Sequence, residues 1–114
     1  MSQQTINGYE VRHQRGVITV TKNGNTLKFM PAEADQIREI VNIALSMESL
    51  PALPPQINNG RFEVQFNEND TLGISGVDGI EGSVTFTWNE GDEFILTIDE
   101  AQKIALNEIK LGYR

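Results

Sequence analysis

The sequence repeats itself. Ile18-Thr19-Val20-Thr21, a turn at Asn23-Gly24, Leu27-Lys28-Phe29 and a helical pattern through Glu33, Ala34 and Ile37 form a first unit. Val84-Thr85-Phe86-Thr87, a turn at Asn89-Glu90-Gly91, Phe94-Ile95-Leu96 and a pattern through Glu100, Ala101 and Ile104 form a second. Thr19 corresponds to Thr85 at an offset of 66 residues, and Ile37 to Ile104 at an offset of 67. One extra residue in the second turn absorbs the difference. Upstream, Tyr9-Glu10-Val11 echoes Phe62-Glu63-Val64. A duplicated strand-hairpin-helix unit constrains the fold, because neither copy can bury its apolar face alone.

Periodicity assigns the elements. Tyr9–Gln14 alternates Tyr9, Val11 and His13 against Glu10, Arg12 and Gln14, the pattern of a strand with one wet face. Val17–Thr21 puts Ile18 and Val20 on one face and Val17, Thr19 and Thr21 on the other. Asn23-Gly24 is a hairpin signal, since both residues tolerate positive φ. Thr26–Met30 then places Leu27 and Phe29 inward. Pro31 suits the first helical position, and Ile37, Ile40, Val41, Ala44 and Leu45 form an apolar stripe ending near Leu50. In the second copy Arg61–Asn67 and Thr71–Ser75 read as strands. Glu81–Trp88 and Glu93–Ile98 read as a hairpin. Asp99 reads as the N-cap of a helix, with Gln102 three residues on, Ala101, Ile104, Ala105 and Ile109 buried, and Gly112 as the C-cap.

The expected fold class is α+β: one antiparallel sheet of six to eight strands from two β-β-β-(β)-α repeats, with both helices on one face. The 114 residues make a single domain. The repeats span about 8–50 and 61–112, joined by a Pro-rich connector over 51–60. A chain of this size buries roughly 65% of its unfolded surface, enough for one core without staples.

Composition excludes several functions. There is no cysteine, hence no disulfide framework, thiolate nucleophile or cysteine-ligated metal. Residues 1–8 are polar and do not read as a signal peptide. No apolar run reaches the roughly 18–20 residues that span a membrane. The expected location is the cytoplasm. The net charge is −7 but is unevenly spread. Residues 1–30 carry +3, from Arg12, Arg15, Lys22 and Lys28 against Glu10, while residues 61–114 carry −7.

The last strand running into the helix, Leu27-Lys28-Phe29-Met30-Pro31-Ala32-Glu33-Ala34 and Phe94-Ile95-Leu96-Thr97-Ile98-Asp99-Glu100-Ala101, resembles the Whirly, PUR-repeat and transcription-coactivator single-strand-binding superfamily. So does the tandem of consecutive strands closing into one helix. The resemblance implies a non-enzymatic binding module that takes single-stranded DNA or RNA on the exposed sheet face. The outward positions that match this face are Arg12, Gln14, Thr19, Thr21, Thr26 and Lys28, and the candidate contact residues are Arg12, Gln14, Arg15, Thr19, Thr21, Lys22 and Lys28. The face departs from the superfamily pattern in lacking a row of stacking aromatics. In the second copy the positions Glu63, Gln65, Thr85, Thr87, Glu93 and Thr97 depart from it by their acidity. An alternative is an acidic protein-interaction module that docks a basic partner through the loop carrying Asp70, Asp78 and Glu81. The chain is expected to be a monomeric pseudo-dimer or a homodimer, with no cofactor, metal or membrane partner.

Other chemistry-bearing residues have structural readings. His13, the only histidine, alternates with Tyr9 and Val11 and reads as a packed strand residue rather than a base. Ser46, Ser49, Ser75 and Ser83 stand in no nucleophile-elbow motif, so the chain is expected not to be an enzyme. The acidic loop fails EF-hand spacing at Leu72. Gly73, Gly76, Gly79 and Gly82 are not a phosphate-binding loop, since no lysine follows. Trp88 reads as core.

Overall fold

The computed structural model describes residues 2–46, 56–58, 60–67, 71–76 and 82–111. Four strands, β1 (Ser2–Ile6), β2 (Tyr9–Gln14), β3 (Val17–Lys22) and β4 (Asn25–Phe29), lead through a 3-10 turn at Pro31–Glu33 into helix α1 (Ala34–Leu45). Four more, β5 (Gln56–Asn58), β6 (Phe62–Asn67), β7 (Thr71–Gly76) and β8 (Ser83–Thr87), lead through a 3-10 turn at Trp88–Glu90 into helix α2 (Gly91–Lys110). The described residues thus form two consecutive ββββα units. β1 and β5 lie upstream of where alternation alone starts each unit, and β5 falls inside the expected connector.

Each unit forms its own antiparallel meander, β1-β2-β3-β4 (sheet A) and β5-β6-β7-β8 (sheet B). The strands therefore make two sheets rather than one. β4 runs beside β8 without joining its ladder. In sheet A every turn has two residues, Asn7-Gly8, Arg15-Gly16 and Asn23-Gly24, and all six have positive φ. That is the type I′ geometry that matches strand twist.

The helices are exchanged between units. α1 packs on β5 and β6 of sheet B, while α2 packs chiefly on β2 and β3 of sheet A and also touches β8. The two helices run against each other. Arg38 of α1 donates to Asp99 Oδ1 at 3.0 Å and Gln102 Oε1 at 2.9 Å on α2, and Gln102 Nε2 donates to the Pro31 carbonyl at 2.9 Å. One continuous core results, from Tyr9, Val11, Ile18, Val20, Leu27 and Phe29 of sheet A to Phe62, Val64, Leu72, Ile74, Val84 and Phe86 of sheet B. Ile37, Ile40, Val41 and Ala44 of α1 and Phe94, Ile98, Ala101 and Ala105 of α2 complete it. No helix among the described residues is long and apolar enough to cross a membrane.

The second half corrects the expected boundaries. Glu93–Ile98 is not a strand, Asn89-Glu90-Gly91 is not a hairpin turn, and Asp99 is not an N-cap: all three lie in or at the start of α2. The helix begins early because Thr87 and Glu90 form a capping box, with Glu90 Oε1 accepting from the Thr87 amide at 2.9 Å and hydroxyl at 3.0 Å. Phe94, Ile98, Ala101 and Ala105 then recur at helical spacing on the buried face. The structural partner of Leu27–Ala34 is Val84–Gly91, so the segment 94–101 lies wholly within the helix. Tyr9 matches Phe62 as the alternation suggests, but β3 corresponds to β7, not to β8. Leu50, the connector over 51–55 and Gly112 lie outside the described residues.

Candidate nucleic-acid interface

With both helices on the inner faces, the outer face of sheet A is left to solvent. Register sets a cross-strand row on it: Gln3 opposite Arg12, Arg12 opposite Thr19, Thr19 opposite Lys28. Neighbouring strands stand about 4.8 Å apart, so Arg12 and Lys28 rise from backbones about 10 Å apart. Along β2 and β3 the next outward pair is Gln14 and Val17, flanking the Arg15-Gly16 turn. These residues enclose an open groove of about 350 Å³, lined by Arg12, Gln14, Arg15, Val17, Thr19 and Lys28. Among the described residues no carboxylate lines it. Glu10 stands one row away on the same face, where Gln3 Nε2 donates to its Oε1 at 2.8 Å.

Arg15 occupies its place at a backbone cost. The first residue of each two-residue turn has φ near +53°: Asn7, Arg15 and Asn23. Asparagine visits this region several-fold more readily than most residues. Two of the turns have asparagine, while the turn at the groove has a long cation. Strain of order 1 kcal/mol at a surface turn is consistent with a functional demand on the side chain.

Of the seven positions drawn from the resemblance, five line the groove. Thr21 lies one row over, its hydroxyl 2.8 Å from that of Thr26. Lys22 points the other way, because residues 18, 20 and 22 share the inward face of β3. Its ammonium donates to Glu90 Oε2 at 3.0 Å and stands 4.6 Å from the Tyr9 ring centroid. Lys22 therefore ties sheet A to the start of α2. Val17 belongs to the groove and was not among the sequence-derived positions, although its alternation with Thr19 marks it. Asp70, Asp78 and Glu81 lie outside the described residues.

Glu90 does two jobs at once: one oxygen caps α2 and the other binds Lys22 of the first unit. Glu33 repeats the arrangement, with Oε1 accepting from the Met30 amide at 2.8 Å and Oε2 from Arg61 of the second unit. Alternation does not reveal these clasps, but the Thr87-x-x-Glu90 spacing signals the capping half of one. The hydrogen bond from the Thr87 backbone, then that from Lys22, lowers the Glu90 pKa to about 2. A carboxylate depressed in the folded state stabilises above its unfolded pKa, and that stabilisation disappears as pH falls toward about 2. Urea denaturation at several pH values between 5 and 2 should show wild type losing more stability than Glu90→Gln. Equal losses would remove Glu90 from the acid response.

The outer face of sheet B is unlike that of sheet A. Glu63, Gln65, Ser75, Ser83, Thr85 and Thr87 stand there, and the cation that reaches its rim is Lys22 of sheet A, which lines a groove with Thr71, Thr85, Thr87 and Glu90. Glu93 is exposed on α2, and Thr97 is buried, donating to the Glu93 carbonyl at 2.7 Å and accepting from Asn7 at 3.3 Å. His13 is 2% exposed, and its Nδ1 pairs with Glu108 Oε1 at 2.6 Å, tying β2 to the end of α2. Trp88 is partly buried, 6.1 Å from Phe66 between ring centroids. Among the described residues no group of three His, Asp or Glu side chains is placed to hold a metal ion. No known family model, curated protein or solved structure matches the chain.

Proposed function

We propose that the chain is a non-enzymatic module that binds single-stranded DNA or RNA through the outer face of sheet A. The observation that carries this reading is the gathering of Arg12, Arg15 and Lys28 around one open groove with no carboxylate among the described residues of its lining, in a chain of net charge −7. Two consecutive ββββα units agree with the tandem organisation that the resemblance to PUR repeats implies. Thr19 and Gln14 supply neutral donors beside the cations, suited to phosphate and sugar oxygens. Without aromatics on this face, bases have no stacking platform. Binding is therefore backbone-directed, indifferent to sequence and steeply salt-dependent.

The test is fluorescence polarisation with labelled oligothymidine and oligouridine at about 50 mM salt, where phosphate contacts are strongest. Three phosphate contacts give a slope of about −2 in log K against log salt for a single strand. Arg15→Asn should weaken binding and flatten that slope by about 0.7. The same variant should raise folding stability by about 0.5–1 kcal/mol, because asparagine accepts the positive φ more readily. Absence of binding at low salt, or full affinity in Arg15→Asn, would refute the assignment.

A further inference from the structure

The groove on sheet A stands apart in what its side chains leave unused. Lys22, Arg38, Arg61 and Lys103 are each paired with a carboxylate. Among the described residues Arg12, Arg15 and Lys28 have no such partner, in a chain with 16 acidic residues against 9 basic ones. The hydroxyls divide in the same way. Thr21 and Thr26 bond each other at 2.8 Å, one row from the groove. Thr97 donates to the Glu93 carbonyl at 2.7 Å. Thr19 is half-buried in the groove lining, and among the described residues its hydroxyl has no partner.

Thr19 also holds a particular place. It stands in the cross-strand row directly between the two cations, opposite Arg12 on β2 and opposite Lys28 on β4. The order across the sheet is cation, hydroxyl, cation. A nucleic-acid strand carries the matching order of phosphate, sugar, phosphate. A strand laid across β2, β3 and β4 with consecutive phosphates on Arg12 and Lys28 sets the intervening sugar over Thr19. The long cationic side chains can lean toward each other from backbones about 10 Å apart.

We propose that this groove selects RNA over DNA, with the Thr19 hydroxyl bonding the ribose 2′-hydroxyl between phosphates held by Arg12 and Lys28. The inference rests on the single-strand-binding reading above and names its ligand class. The 2′-hydroxyl both donates and accepts, and it is what lets a protein tell the two sugars apart. A threonine hydroxyl also does both, so either partner can be the donor. The cations alone read phosphate charge, which RNA and DNA share. One sugar is bracketed in this way. Beyond Arg12 the row continues to Gln3, whose amide is already committed to Glu10 at 2.8 Å. The preference is therefore that of one hydrogen bond, about threefold to tenfold in affinity.

Fluorescence polarisation at about 50 mM salt compares labelled oligouridine with oligodeoxyuridine of the same length. The two probes differ only in the 2′-hydroxyl, so no base methyl meets Val17. The wild type should bind oligouridine about threefold to tenfold more tightly. Thr19→Val keeps the branched shape that suits a strand and removes the hydroxyl. It should bring the two affinities together by weakening RNA binding alone, with far-UV circular dichroism unchanged. Equal binding of both probes by the wild type overturns RNA selection and leaves the single-strand reading standing. A preference that survives in Thr19→Val overturns it too, by assigning the preference to strand conformation. So does a loss that Thr19→Val inflicts equally on both probes, which would place the hydroxyl on phosphate. Binding of neither probe sinks both readings.

Discussion

Gly82→Ala should lower the thermal midpoint of unfolding by roughly 10–20 °C. Two effects act together. Gly82 has φ +103°, outside the range that residues with a Cβ occupy without strain. A methyl group built there would overlap the carbonyl oxygen of Thr26 and stand 2.9 Å from its carbonyl carbon. These are backbone atoms, and they cannot move aside as the tip of a flexible side chain can. Thr26 belongs to β4 and Gly82 leads into β8, so the contact is where the two sheets abut. Relieving it means parting the sheets above a shared core. Backbone strain of about 1–3 kcal/mol plus the displaced contact puts the loss near 3–4 kcal/mol. Differential scanning calorimetry of the variant checks it. A drop under about 4 °C, the effect of about 1 kcal/mol, would mean that the junction is soft.

Phe94→Ala should cost about 3–5 kcal/mol, as expected when a large buried aromatic is truncated. Phe94 is fully buried at the start of α2. Its ring stacks on Phe86 of β8 with centroids 4.6 Å apart and meets Tyr9 of β2 edge-on at 5.7 Å. One side chain thus touches sheet A, sheet B and the helix that joins them. The void cannot collapse by moving one element, because each wall is held by a different one. Chemical denaturation should show a lower midpoint for the whole molecule in a single transition. If tryptophan fluorescence, which reports Trp88 beside sheet B, and far-UV dichroism separated into two transitions, the units would be independent and the shared core would not hold. Leu96→Ala, on the exposed side of the same helix, should change stability by less than about 0.5 kcal/mol and serves as the control.

Phe94 also marks the limit of what the residues disclosed in advance. Phe94-Ile95-Leu96-Thr97-Ile98 is rich in aromatic and β-branched residues, the composition of a strand, and five residues are too few to separate a period of 2 from one of 3.6. The deciding signals lay on either side: Thr87 and Glu90 at capping-box spacing before it, and Ala101 and Ala105 continuing the helical phase after it. In the first unit the signals coincide. Tyr9, Val11 and His13 alternate, Asn23-Gly24 closes the hairpin and Pro31 opens the helix, so β2 through α1 is readable residue by residue. The face carrying Arg12, Thr19 and Lys28 follows from the same alternation, which also excludes Lys22 when applied strictly. The exchange of helices between units leaves no local trace. It depends on Arg38 meeting Asp99 and on Glu33 meeting Arg61, contacts between residues 61 and 28 positions apart.

That exchange has a consequence for synthesis. Sheet A is complete once residue 29 has emerged, but its apolar side is covered by α2, whose last packed residues come some 75 positions later. At ribosomal speeds of about 5–20 residues per second, Val11, Ile18 and Val20 wait roughly 4–15 s for their cover. The newborn amino-terminal half therefore holds bare apolar strands until α2 arrives. A stop codon placed before α2 should yield an insoluble product rather than a smaller working domain.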